Sequence, residues 1–244
     1  MIKAERQDKV RQLLDEQGTV SVKEISDALG VSDMTIRRDL EELASLGEIE
    51  RVHGGARSAQ SRPHAMLRHE YSHSEKRTKH VEEKLQIARR AVGLIEEGST
   101  IFLGTGTTVE QMASMLPAFR LRIVTNSLSV FNLLEAREDC DLCLVGGMYR
   151  RRTAAFVGPT AEDTLRALGI DAAYIGANGI LDGDVSTSNM EEGRIQQLAF
   201  SKADSRYLIA DSSKIGKRDF YTFCRLDSLD AVVCEPGIAA ADRS

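Results

Sequence analysis

Two stretches of the 244-residue chain carry residue types suited to holding an anion. In "FLGTGTT", residues 102–108, an apolar run enters two glycines and a string of hydroxyls, then passes into the helix-like "VEQMASML". A chain that turns tightly before a helix gathers backbone N–H groups at the positive end of the helix dipole, so Thr105, Thr107 and Thr108 at such a turn suit a monophosphate. "GTGTT" lacks the Gly-Lys-Ser/Thr of a Walker loop and the spacing of a dinucleotide fingerprint, and by itself it equally describes an ordinary strand-to-helix turn. In "ADSSK", Lys214 offers a cation, with a surface lysine as the plainer reading. A third stretch, "TIRRDL", sets Arg37 and Arg38 side by side. Arginine pairs bidentately with guanine edges or grips phosphates, but at helical spacing the two also match a surface salt-bridge face with Glu41 and Glu42.

Metal, redox and cofactor chemistry find little support. The four cysteines include one CxxC, "CDLC", without the second close pair of a zinc ribbon. It begins a strand-like run in which alternate side chains face opposite ways, so reduced, mostly buried thiols are expected. Four of the five histidines fall within residues 57–80 without a sustained i, i+4 pairing with carboxylates, so no metal site is expected.

The elements that must position these residues follow from length and pattern. A chain of 244 residues fits one small and one medium domain. With 42% hydrophobic and 28% charged residues, the composition is that of an ordinary soluble globular protein. No apolar run approaches the ~18 residues of a membrane span, and "MIKAERQDKV" lacks the apolar core of a secretory signal, so a cytoplasmic location is expected. The net charge of −5 hides a local excess, because residues 51–90 carry 10 basic and 4 acidic side chains. A concentrated basic segment binds nucleic acid despite an acidic total, or forms a solvated linker.

Val10, Leu13 and Leu14 recur at helical spacing before Gly18. Ser21 and Glu24 form a capping-box pattern before Ile25, Ala28 and Leu29, with Gly30 as the stop. Ser32 is an N-cap for a third helix that turns Ile36, Leu40 and Leu43 inward and ends at Gly47. "EIERVHGGARS" then alternates Ile49 and Val52 around charges and turns at Gly54 and Gly55, a two-stranded wing. Together these form a winged helix-turn-helix whose third helix presents Asp33, Met34, Thr35, Arg37 and Arg38 to a major groove.

Residues 57–80 read as a polar, basic linker. A helix with Val81, Leu85, Ala88, Val92 and Ile95 inward opens the second domain. Beyond residue 99, strand-like runs ("TIFLG", "LRIVTN", "LCLVGG", "AAYIGANGI", "YLIAD", "AVVCE") alternate with helical stretches, which predicts a Rossmann-like, mainly parallel α/β domain with ligands beyond the carboxyl ends of its strands. The expected organisation is 1–57 winged helix, 58–80 linker and 81–244 α/β sensor.

The stretch "VSDMTIRRDLEELASLGEIERVHGGA" resembles the DNA-binding signature of the DeoR family of bacterial sugar-metabolism repressors. The motifs "VTNS", "VGGMYRR", "VGPTAE", "IGANGI" and "ADSSKIG" resemble that family's sensor domain, which is similar in fold to pentose-phosphate isomerases with the phosphate loop GTGST. The resemblance implies groove contacts by Ser32, Thr35, Arg37 and Arg38, and DNA-backbone contacts by Arg51, His53 and the Gly54–Gly55 turn. It also implies an effector phosphate held by Gly104, Thr105, Gly106, Thr107 and Thr108, with Asn126, Ser127, Gly146, Gly147 and Lys214 lining the pocket. Arg150, Arg151 and Arg152 form a second source of positive charge or a solvated loop. The implied protein is a homo-oligomer, dimer or tetramer, that binds double-stranded operator DNA and is relieved by a phosphorylated sugar, with no cofactor and no catalytic residue. The alternatives are an activator of the same architecture and an isomerase-like enzyme. Against the enzyme, the isomerases' DGADE-like segment reads "IGANG" here, with Ile175 and Asn178 in place of aspartates and no carboxylate until Asp182, although Asp184, Glu191 and Glu192 follow. The chain also departs from the family's usual pattern at Gly104, Leu181 and Gln196, where Asp, Asp and Lys are common.

Overall fold

A computed structural model describes residues 2–52, 54–58 and 70–236. The chain divides into two compact units, Met1–Met66 and Leu67–Ser244.

In the first unit, α1 (Lys3–Gln17) leads through β1 (Thr19–Ser21) into α2 (Val22–Leu29), α3 (Asp33–Ser45), β2 (Ile49–Val52) and β3 (Gly55–Ser58). The local signals act as the sequence indicates. The Ser21 hydroxyl accepts from Glu24 N while the Glu24 carboxylate accepts from Ser21 N, and Gly30 ends α2 at φ 65°. The Ser32 hydroxyl accepts from Thr35 N at the start of α3. Val10, Leu14, Ile25, Ile36, Leu40 and Leu43 meet in one core. The short strand β1 was not evident from sequence; it joins the wing as an edge strand, in the order β1-β3-β2.

That third strand explains Gly55. A Cβ there would lie 2.3 Å from the Val20 carbonyl oxygen, so the wing packs against β1 only without a side chain. Gly55→Ala should therefore destabilise this unit by about 1–3 kcal/mol, the usual range for overpacking. Thermal unfolding reads this directly, and a variant as stable as wild type would show that β1 yields.

The second unit begins with α4 (His73–Arg77) and α5 (Val81–Val92), followed by β4 (Thr100–Leu103), α6 (Thr107–Ala113), β5 (Leu121–Thr125), α7 (Leu128–Leu134) and β6 (Cys140–Leu144). A hairpin of β7 (Met148–Arg150) and β8 (Ala155–Val157) comes next, then α8 (Pro159–Arg166), β9 (Ile170–Ile175), β10 (Gly179–Leu181) and β11 (Asp184–Thr187). The unit closes with α9 (Met190–Lys202), β12 (Ala203–Ile209), β13 (Tyr221–Arg225) and β14 (Ala231–Val233). Six strands form a sheet in the order β14-β12-β9-β4-β5-β6, and every neighbouring pair is parallel. Side chains alternate across it. Ile101 and Leu103 pack with Ile87, Ala88 and Ala91 of α5 on one face, while Phe102 packs with Ile195 and Ala199 of α9 on the other. Beside this sheet, β10, β11 and β13 form a separate antiparallel one.

Three expectations are corrected. The inward face of α5 is rotated, so that Lys84, Ile87, Ala88 and Ala91 are buried and Val81 is 44% exposed. A lysine fills a position that the apolar pattern had given to its neighbours. The expected linker, 58–80, is docked onto the second unit from Glu70 onward: Glu70 pairs with Arg150 at 2.7 Å, and His73 N donates to Arg152 O at 2.9 Å. The cysteines are free thiols as expected, but half-buried rather than buried.

Candidate functional site

In the winged helix, two of the acidic residues of α3, Asp39 and Glu42, are taken up by α1. Arg6 grips the buried Asp39 through two hydrogen bonds, 2.5 and 3.1 Å, and Lys3 pairs with Glu42 at 2.6 Å. Glu42 also accepts from Gln7 at 3.3 Å. Arg37 and Arg38 point outward, and among the described residues neither side chain forms an ion pair. The salt-bridge face open from sequence is therefore not formed. Ser32 Oγ and Thr35 Oγ1 lie 2.9 Å apart at the N-terminus of the same helix. From β2, Arg51 Nη1 reaches back to the Arg37 carbonyl at 3.1 Å, tying the wing to α3. Gly54 turns the wing at φ 80°. His53 lies outside the described residues.

In the second unit the sheet order itself locates a crevice. The chain runs from β4 outward through β5 and β6, then returns to the other side of β4 with β9. In open parallel sheets such a reversal parts the loops at the strands' carboxyl ends and leaves room for a ligand. One lip is the loop after β4. Gly104 N donates to Tyr174 O at 3.0 Å, and Thr105, Thr107 and Thr108 are buried. Gly106, at φ 126°, starts α6 without any side-chain cap. The first-turn N–H groups there lack the hydroxyl or carboxylate that usually serves them. The other lip is the β9–β10 turn, where Ile175 is fully buried. Asn178 Nδ2 donates to Asp219 at 2.8 Å, and Asn178 Oδ1 accepts from Lys76 Nζ at 2.8 Å.

The remaining predicted residues divide by role. Lys214 ends a 3-10 turn beyond β12, the strand beside β9, with Nζ 3.7 Å from the buried Asp211. Burial by itself would raise the Asp211 carboxyl; Lys214, the Ser213 hydroxyl and nearby His80 and Lys84 outweigh it and hold the group below the usual range. Asn126 and Ser127 are buried at the end of β5 and serve the scaffold as well. Asn126 Nδ2 donates to Phe156 O at 3.0 Å, and Ser127 Oγ caps α7. Gly147, at φ 151°, has room only for hydrogen, since a Cβ would sit 2.6 Å from Val157 O. Gly146 has open space around it.

Further polar residues of this unit are bonded to one another; sequence reasoning names Arg150, Arg152 and Glu192 among them but misses Glu70, His73 and Lys84. Arg150 is not solvated: it joins Glu70 and, at 3.0 Å, Glu192. Arg152 also pairs with Glu70, and Arg151 is exposed. Glu192 comes in from α9, bound by Arg150 and the Thr153 hydroxyl, and burial raises its carboxyl. His73 Nε2 contacts Glu110 of α6. Lys84 donates to the carbonyls of Lys76 and Lys79 at 2.5 and 2.6 Å. The one sequence signal for Lys84 was its spacing, three, four and seven residues before Ile87, Ala88 and Ala91.

Burial pushes the Lys84 ammonium down to about 8, and repulsion from Lys214 adds to the effect. A lysine in an unfolded chain titrates near ~10.4. Below about pH 8 both states are protonated and the folded state carries the full burial cost; from there to ~10.4 the folded state sheds its proton first, and stability rises with pH. Compared with Lys84→Met, the wild type should gain on the order of 2 kcal/mol between pH 8 and pH 10. Urea unfolding at the two pH values measures it, and a constant difference would count against a buried charge.

Two family models match the chain: "DeoR-like helix-turn-helix domain" over residues 6–62 and "DeoR C terminal sensor domain" over residues 79–235. The chain belongs to the DeoR family. The lactose phosphotransferase system repressor of Staphylococcus epidermidis is 44% identical over 237 residues, covering 96% of this chain and 93% of that relative. The repressor of the same name from Streptococcus mutans is 40% identical over 96% of this chain and 93% of its own length. Relatives named as repressors mark this DeoR-family chain as a regulator rather than an enzyme. Among solved structures it is similar to ribose 5-phosphate isomerase A from Methanocaldococcus jannaschii, at 19% identity, 54% and 52% coverage of the two chains and a TM-score of 0.39. Among the described residues no helix is long and apolar enough to cross a membrane.

Proposed function

We propose that the chain represses genes of sugar metabolism by binding operator DNA through α3 and the wing, and that a phosphorylated sugar in the crevice of the second unit relieves the repression. The observation that carries the DNA half is the pair of arginines on α3: Asp39 and Glu42 are held by α1, while Arg37 and Arg38 face outward without an ion-pair partner among the described residues. The effector half is supported by an uncapped helix start beside buried threonine hydroxyls, with Lys214 at the end of a neighbouring strand. Where the isomerases' first catalytic acid is expected, Ile175 is buried and apolar, so the crevice binds without a base at that position. The relatives' name points to a sugar imported by a phosphotransferase system, which delivers its cargo phosphorylated. A homo-oligomer, dimer or tetramer, would address repeated half-sites and gain avidity from them. Such a regulator works in the cytoplasm.

Moving an operator complex from 99:1 bound to 1:99 requires about 5.5 kcal/mol of differential effector binding, which several sites per oligomer supply jointly. Titrating a panel of aldose and ketose phosphates into a preformed operator complex tests this. Release by at least one member is expected; indifference to all of them, with DNA binding intact, would remove the effector half. Repeated turnover of a pentose phosphate in an isomerase assay would restore the enzyme alternative.

A further inference from the structure

We infer that Met34, in the first turn of α3, reads the C5 methyl group of a thymine in the operator's major groove and so sets which base the helix accepts there. The inference rests on the DNA-binding reading above and gives one position of it a chemistry. Met34 is 77% exposed, the most exposed large apolar side chain among the described residues. Ile36, Leu40 and Leu43 turn one side of α3 to the core. At 3.6 residues per turn Met34 falls on the opposite side, one turn before Arg38, so the two share the stripe that faces away from the core. Recognition helices contact base edges through their N-terminal residues, and Met34 is the second residue of α3.

A single exposed methionine is ordinary on a protein surface; its neighbours make this one specific. It walls a hollow of about 350 Å³ at the start of α3, beside Lys3 and Arg6 of α1 and Arg38 of α3. Ser32 Oγ and Thr35 Oγ1 lie 2.9 Å apart, and Ser32 Oγ also accepts from Thr35 N at 3.3 Å, so the hydroxyls of this turn are directed at each other. Cationic side chains hold phosphates, whereas Met34 has neither a charge nor a donor to offer one. What it gains from a duplex comes from apolar surface, and in the major groove the apolar group on a base edge is the thymine methyl. An unbranched, polarisable thioether packs on such a group without demanding a fixed geometry. Cytosine presents an amino donor without that methyl, and Met34 gains nothing from it.

The probe is the operator recovered from random duplexes by selection with the full chain. Its thymines are replaced one at a time by deoxyuridine, which removes one methyl and keeps the base pairing. At one thymine of each half-site the replacement should weaken wild-type binding roughly 3- to 10-fold, the scale of one apolar carbon taken from water. Met34→Ala should bind that duplex and its deoxyuridine form alike, and Met34→Leu should keep the difference. In the unmodified chain, operator should slow oxidation of the Met34 thioether by hydrogen peroxide several-fold, while Met148, 66% exposed in the second unit, oxidises at its free rate. The Met34 assignment is overturned by a wild type indifferent to every deoxyuridine, by a Met34→Ala variant with the same deoxyuridine losses as wild type, or by Met34 oxidation that operator does not slow. Operator binding that still depends on Arg37 and Arg38 would then leave the DNA reading standing. A wild type that selects no duplex over any other would overturn both.

Discussion

Alanine at both Arg37 and Arg38 should lower operator affinity by about 2–6 kcal/mol, at ~1–3 kcal/mol for each arginine that reads a base or grips a phosphate. The expectation is sharp because neither side chain forms an ion pair among the described residues. Both are exposed, and Glu42, one of the two acids that a helical pattern would give them, is bonded to Lys3 and Gln7 instead. The thermal stability of the winged helix should accordingly stay within ~0.5 kcal/mol of wild type. Gel-shift titration at two salt concentrations is the measurement. If either arginine contacts phosphate, the slope of affinity against salt should fall by about one per lost contact. Unchanged operator affinity in the double variant would remove α3 as the groove element.

The second large effect concerns Lys214. Lys214→Met should leave operator binding intact and raise the sugar-phosphate concentration needed for release by roughly 10- to 100-fold, giving a repressor that no longer hears its signal. The substitution also strips the buried Asp211 of its cation. A carboxyl held low in the folded state stabilises it above the unfolded pKa, and that contribution fades as pH falls through the folded value. Without Lys214, the largest of the influences that hold the carboxyl low is removed and the group rises, so part of the neutral-pH contribution is lost. Stability should drop by about 1–3 kcal/mol. Adding Asp211→Asn to Lys214→Met should recover most of this stability without recovering the response. If the double variant responds like wild type, Lys214 is structural only.

The extent to which these arrangements could be read from sequence follows from what holds each one. The winged helix was legible because its signals are local: the Ser21–Glu24 box, Ser32 at the N-cap, the glycine at 30, and inward residues at helical spacing. The parallel sheet was legible through its apolar runs. β1 was not, since three residues at a sheet edge carry no period of their own. The β7–β8 hairpin hid behind three consecutive arginines, whose charge suggested solvent although Arg150 is enclosed by Glu70 and Glu192. The docked segment from Glu70 to His80 escaped for the same reason. It is fastened by ion pairs and hydrogen bonds between residues far apart in sequence, and hydropathy patterns register only apolar burial. Of the candidate pocket, the loop at Gly104–Thr108 and the Lys214 turn were visible as motifs. Lys76, Lys84, Asn178 and Asp219 were not, because nothing in a linear string places them beside one another.

The order of the parallel strands also bears on how the molecule is made. The middle of the sheet closes only when Ile101 of β4 meets Ala172 of β9, and β12 and β14 are added from still further along the chain. The three-helix head contacts itself within its first 58 residues. Local contacts form early and distant pairings late. On the ribosome the head should therefore be finished while the sensor still lacks its last strands, and a nascent chain arrested after the wing should already protect the amides of the head from hydrogen exchange.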